Sequence, residues 1–118
     1  MVILIIYVPP NLLAAQYDSI NEFILSSADI VLSGTLTDCS LIMAGDLNQF
    51  STATIEETLG VLQIVDKPTR KASILDKILI CPRLLEEYGP PIIGPNFGNG
   101  DHQTVMIRPM VAEKILSR

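Results

Sequence analysis

The 118-residue chain contains no tryptophan, a single histidine, two cysteines and only eight lysines and arginines against thirteen acidic residues. Each scarcity excludes something. A net charge of −5 and a sequence pI near 4.6 exclude a protein that holds nucleic acid by its own basic field, so any phosphate chemistry needs positive charge from a metal ion or a partner surface. Cys39 and Cys81 have neither metal-ligand spacing nor the density of a disulfide framework, which makes a reducing, intracellular setting the expectation. No run is long and uncharged enough to span a bilayer, because the segment after the apolar amino terminus carries Asp18, Glu22 and Asp29, and no membrane partner is expected. The Met1–Ile6 stretch has no basic flank and ends at Pro9-Pro10, unlike a signal peptide.

What the chain has in quantity is apolar residues, at 48% with a mean hydropathy of +0.40. A chain of this length makes at most one domain and buries only part of the surface its unfolded form exposes. So apolar a composition implies a core large for its size, or apolar surface meant to be covered by something else.

The most informative stretch is Leu41-Ile42-Met43-Ala44-Gly45-Asp46-Leu47-Asn48. A short buried strand there delivers a carboxylate and a carboxamide at its carboxyl end, where side chains of layered α/β folds point into a crevice. A strand ending in an ordinary polar turn shows the same letters, so the weight comes from its company.

Taken in order, Val2–Ile6 is a β-branched run suited to a strand buried on both faces, and a chain that starts in such a strand suggests a boundary cutting through a domain. Leu12, Leu13, Ile20, Phe23, Ile24, Ile30 and Val31 recur at helical spacing from Asn11 to about Ser33, predicting an amphipathic helix stopped by Gly34. The strand, helix, strand order predicts a right-handed crossover and parallel or mixed pairing. Ser51 or Thr52 can cap a short helix ended by Gly60. Val61–Val65 reads as a brief strand, 66–71 as a polar loop and Ile74–Ile80 as a strand with one carboxylate, Asp76, among apolar residues. Pro82–Tyr88 suits a short helix or irregular stretch, Gly89–Gly100 a loop, Gln103–Arg108 a last strand and residues 110–118 a tail.

Three features line up with Asp46 and Asn48: Tyr7 where a strand meets Pro-Pro, Asp76 inside a strand, and Asp101-His102 behind a glycine-bearing loop. Each has an ordinary reading, as a core-edge tyrosine, a solvent-facing carboxylate and a turn.

In their order, Tyr7-Val8-Pro9-Pro10, Gly45-Asp46-Leu47-Asn48, Leu75-Asp76-Lys77-Ile78-Leu79 and Gly100-Asp101-His102 resemble the second half of the endonuclease/exonuclease/phosphatase superfamily. Lys67-Pro68-Thr69-Arg70 followed by Ile74-Leu75-Asp76 is most similar to the endonuclease domain of non-LTR retrotransposon (reverse transcriptase) polyproteins. The resemblance implies an α/β fold, half of a four-layer sandwich with a mixed sheet and flanking helices, occupying residues 1–109 and incomplete. It implies metal-dependent phosphodiester hydrolysis, endonuclease cleavage of DNA, with Mg²⁺ or Mn²⁺. The carried-over roles are Asp46 activating water, Asn48 holding phosphoryl oxygens, His102 supporting transition-state charge, Asp76 orienting His102, Asp101 and Asp46 serving the metal, and Tyr7 contacting the phosphate.

The chemistry asks for these types independently, since in-line displacement builds negative charge that a metal or an imidazolium meets, and Mg²⁺ prefers oxygen ligands. The family's metal-binding glutamate belongs to the first half of the domain, which this sequence lacks, and Gly100 stands where a serine is usual. The alternatives are a catalytically incomplete fragment acting as a binding or structural module, completed by the missing amino-terminal half or a second copy, and a phosphatase of phosphorylated lipids or sugars.

Overall fold

The computed structural model describes residues 2–33, 40–96 and 103–109. Six strands and three helices alternate in it: β1 (Val2–Ile5), α1 (Ala14–Ser33), β2 (Leu41–Asp46), α2 (Ala53–Leu59), β3 (Leu62–Gln63), β4 (Asp76–Ile80), α3 (Pro82–Leu85), β5 (Ile92–Asn96) and β6 (Gln103–Met106). The chain is therefore mixed α/β, as the apolar periodicities predict.

Four strands form one sheet in the order β1-β2-β4-β3. β1 runs parallel to β2, with Val2 beside Leu41 and Ile5 beside Ala44, because α1 carries the chain back between them. β4 is antiparallel to both β2 and β3, which makes the sheet mixed. Leu41, Met43 and Leu79 share one face, and Ile24 and Ala28 of α1 and Ile55 of α2 join them in one buried cluster. Tyr17 of α1 meets Phe50 with ring centroids 5.9 Å apart, tying the first helix to the loop before α2. On the opposite face Ile42, Ile78 and Ile80 are also buried, and Ile93 of β5 and Val105 of β6 pack against the same core.

Local signals act as expected around α2. Gly60 ends it in a left-handed conformation (φ 70°) and donates its N–H to the Glu56 carbonyl, as an L-residue would do only under strain. Thr52 precedes the helix without capping it; its hydroxyl donates instead to Glu56 Oε2.

Gly45 has a different reason to be glycine. A Cβ built there would lie 1.7 Å from the Ile6 carbonyl oxygen, and its φ of +154° is one that side chains rarely adopt. The absent side chain lets the Ile6–Val8 backbone lie against the end of β2, where Val8 N–H donates to the Asp46 carbonyl at 2.9 Å.

Three sequence expectations are corrected. β1 is not buried on both faces: it is an edge strand whose Ile3 and Ile5 are 55% and 77% exposed, because among the described residues nothing covers that face of it. The Gly/Pro-rich segment after Gly89 is not all loop, since Ile92–Asn96 pairs antiparallel with β6 across an irregularity between Ile93 and Asn96 that takes up the Gly-Pro. Cys81, buried just past β4, is disulfide-bonded, which removes the cysteine argument for a reducing compartment. Cys39, Gly34, the 97–102 segment and the 110–118 tail lie outside the described residues. Among those described, no helix is long and apolar enough to cross a membrane.

Candidate functional site

β2 ends on Asp46, and antiparallel pairing sets Asp46 directly opposite Asp76, the first residue of β4. Cross-strand neighbours in such a pair lie on one face, so two half-buried carboxylates share the mouth of one crevice. The crevice, of about 330 Å³, is lined by Ile5 and Ala44 on one side, by Asp46 and Asp76, and by Gln103 and Val105 of β6. It is where the second, two-stranded sheet meets the carboxyl end of β2.

The turn after Asp46 is built by side chains. Asp46 Oδ1 accepts the Asn48 backbone N–H at 3.1 Å, and Asn48 takes a left-handed φ of 48°, which asparagine tolerates better than most residues. Asn48 is buried, and its side-chain nitrogen donates to the Val8 carbonyl at 2.6 Å. That bond joins the end of β2 to the Tyr7-Val8-Pro9 segment, and it takes one of the two N–H donors of the amide that the resemblance directs at phosphate.

Asp76 is held from behind by the Pro-Thr-Arg loop. Thr69 is fully buried, and its hydroxyl oxygen accepts the backbone N–H groups of both Leu75 and Asp76, each at 3.1 Å. The Thr69 carbonyl in turn accepts the Gln103 N–H at 2.7 Å. One threonine therefore fixes the start of β4 and the start of β6, the strand that follows directly on Asp101-His102.

The structure thus brings together Asp46, Asp76 and Asn48. Tyr7 is 65% exposed and lines a separate groove between β1 and α1. Asp101 and His102 lie outside the described residues, and with them the histidine on which the chemistry depends. Among the described residues no three His, Cys, Asp or Glu side chains group closely enough to hold a metal. Asp46 and Asp76 supply two oxygen donors of the kind that Mg²⁺ or Mn²⁺ takes.

Sequence reasoning did not single out Thr69 or Gln103 as site residues. Thr69 carried a usable signal, an uncharged residue inside the polar 66–71 loop; the backbone bond at Gln103 has none, since its partner is over thirty positions away. The electrostatics around Lys77 are also tertiary. Burial lowers the pKa of its ammonium, opposed by the nearby Glu56 carboxylate, while Nζ donates to the Phe50 carbonyl at 2.8 Å.

Comparison with family models, curated proteins and solved structures finds no match to the chain in any of them.

Proposed function

We propose that this chain carries the carboxyl-terminal half of a phosphodiesterase site of the endonuclease/exonuclease/phosphatase type, acting on DNA as retrotransposon endonucleases do, within half of a four-layer sandwich. The observation that carries the reading is the register of β2 against β4. It sets Asp46 opposite Asp76 at a strand end, beside the strand that Asp101-His102 leads into.

The roles are those that the resemblance implies. Water attacks phosphorus as the opposite P–O bond breaks, Asp46 accepts the water's proton, and His102 in its charged form meets the negative oxygens. Asp76 favours that charged form and sets the ring's tautomer. Asn48 braces the Asp46 turn through one amide N–H to Val8, and would contact phosphate through its second amide N–H. Tyr7, in the segment after β1, is the residue that the resemblance sets against the phosphate, although it lines the neighbouring groove. A Mg²⁺ or Mn²⁺ held by Asp46 and Asp101, with at least one further donor from another segment, would supply Lewis-acid charge at the phosphate.

A second reading, an incomplete site that needs another polypeptide, has its own support. Ile3 and Ile5 lie exposed on the face that carries Asp46, as an uncovered layer would.

The test is plasmid nicking by the purified chain with Mg²⁺, Mn²⁺ or EDTA, alongside Asp46→Asn and His102→Ala. Nicking that needs the metal and falls at least about 100-fold in each variant supports the assembled site. Metal-dependent nicking unchanged in both variants overturns the assignment. A folded sample that does not nick, even at high concentration, supports the incomplete module.

A further inference from the structure

Among the described residues the outer edge of β1 is a pairing surface without a partner strand, and its chemistry matches itself. Val2, Ile6 and Val8 point their N–H groups inward, to Ser40, Ala44 and Asp46 carbonyls at 2.7, 2.9 and 2.9 Å. By alternation the N–H and C=O groups of Ile3, Ile5 and Tyr7 point outward, and β1 is the end of its sheet among the described residues. Natural edges are normally guarded by charge, bulges or a covering element. Among the described residues no bulge or covering element guards this one, residues 1–17 contain no charged side chain in a chain of net charge −5, and the prolines begin only at Pro9.

We infer that β1 is an interface between two copies of this chain, paired antiparallel about a two-fold axis to make one continuous sheet. The outward groups select the register. Among the described residues only odd-numbered positions of this segment turn their backbone groups to the open edge, and placing Ile5 opposite the second copy's Ile5 sets each Ile3 opposite Tyr7. All three pairs then exchange N–H···O=C bonds, about six in total. A register shifted by one pair forms fewer bonds among the described residues.

The side chains agree with that register. One face of the joint places Ile3 against Tyr7 across the axis, an aromatic to β-branched pair, and the other places Leu4 against Ile6. No like charges meet. Beside the strand a groove of about 460 Å³, lined by Leu4, Ile6, Tyr7, Ile20 and Phe23 among others, runs between β1 and α1. Phe23 is 74% exposed there, on the helix that flanks the open edge. The interface is isologous, since the same strand and the same helix flank appear on both sides.

The experiment is sedimentation equilibrium of the whole chain from about 1 to about 300 µM, a range suited to a small edge-to-edge contact. The wild-type mass should rise from 12.9 kDa toward twice that value. Two variants act on the edge at Ile5, which also lines the crevice, so the readout is mass and not activity. Ile5→Pro removes an outward N–H that β2 does not use, and Ile5→Lys brings two like charges together on the axis. Both should stay monomeric with unchanged circular dichroism, whereas Leu62→Lys on β3, the opposite edge, should dimerise as wild type does.

Amide exchange of the unmodified chain reads the same contact without a mutation: Ile3, Ile5 and Tyr7 should gain protection as concentration rises. A chain monomeric throughout the range overturns the inference, as does a dimer indifferent to Ile5→Lys or one in which these three amides stay unprotected. The outcome is independent of nicking activity, so failure of either proposal is visible without the other.

Discussion

Thr69 holds Asp76 in place through the backbone: the buried threonine oxygen accepts the Asp76 N–H at 3.1 Å and the Leu75 N–H at the same distance. A loop that reads as polar linker is therefore the support for a strand start. Thr69→Val keeps the shape and removes the acceptor, leaving two N–H groups without it. The expected loss is about 2–3 kcal/mol of unfolding free energy by urea titration, with Thr69→Ser losing under about half as much. Equal losses in the two variants would show that the hydroxyl is not what supports β4.

Asn48 combines a left-handed backbone with a buried side-chain bond to Val8, and the two contributions separate by substitution. Asn48→Gly loses the side-chain bond and relaxes the backbone. Asn48→Ala loses the bond and keeps the strain, so it should be less stable than the glycine variant by about 1 kcal/mol. Thermal or chemical unfolding of the pair measures that difference, and an alanine variant as stable as the glycine one would remove the backbone argument.

At Gly45 no such gradation is expected. Any Cβ there meets the Ile6 carbonyl oxygen at 1.7 Å, so Gly45→Ala must push the chain after β1 away from β2. The expected cost exceeds about 3 kcal/mol, enough to remove most of the stability of a small domain. A cooperative, near-wild-type melt of Gly45→Ala would contradict the close approach described.

Lys77 supplies a pH-dependent prediction. Burial holds its folded-state pKa below the ordinary value of 10.5, outweighing the opposite effect of Glu56. The unfolded chain therefore binds more protons between the lowered value and 10.5, and stability contributed by this group rises with pH across that window. Relative to Lys77→Met, which does not titrate, wild type should gain stability as pH climbs toward 10.5. A difference that is flat or falls with pH would contradict desolvation as the dominant cause.

Much of the frame is written in local sequence. Apolar runs of strand length, the helical spacing of Ile20 and Ile24, and Gly60 as a helix stop each depend on neighbours a few positions apart, and the structure shows β2, α1 and α2 where those signals place them. The carboxylates Asp46 and Asp76 were legible as candidates because each interrupts an apolar strand. Phe23 fits the same helical periodicity as Ile24, yet is 74% exposed, since periodicity identifies an apolar stripe without saying how wide a stripe the sheet covers, and Leu13, 72% exposed, precedes the helix.

The chain by itself thus determined the fold class, the order of elements as far as β4 and the two acidic strand ends, because these depend on side-chain pattern along one backbone. Tertiary structure alone decided that Asp46 faces Asp76, that Thr69 anchors β4 and β6, that 92–96 pairs as a strand and that β1 is an edge with Ile3 and Ile5 uncovered. Those are facts of register and of which strand lies next to which. They are set by hydrogen bonds between residues far apart in the chain, whose partners no local pattern names.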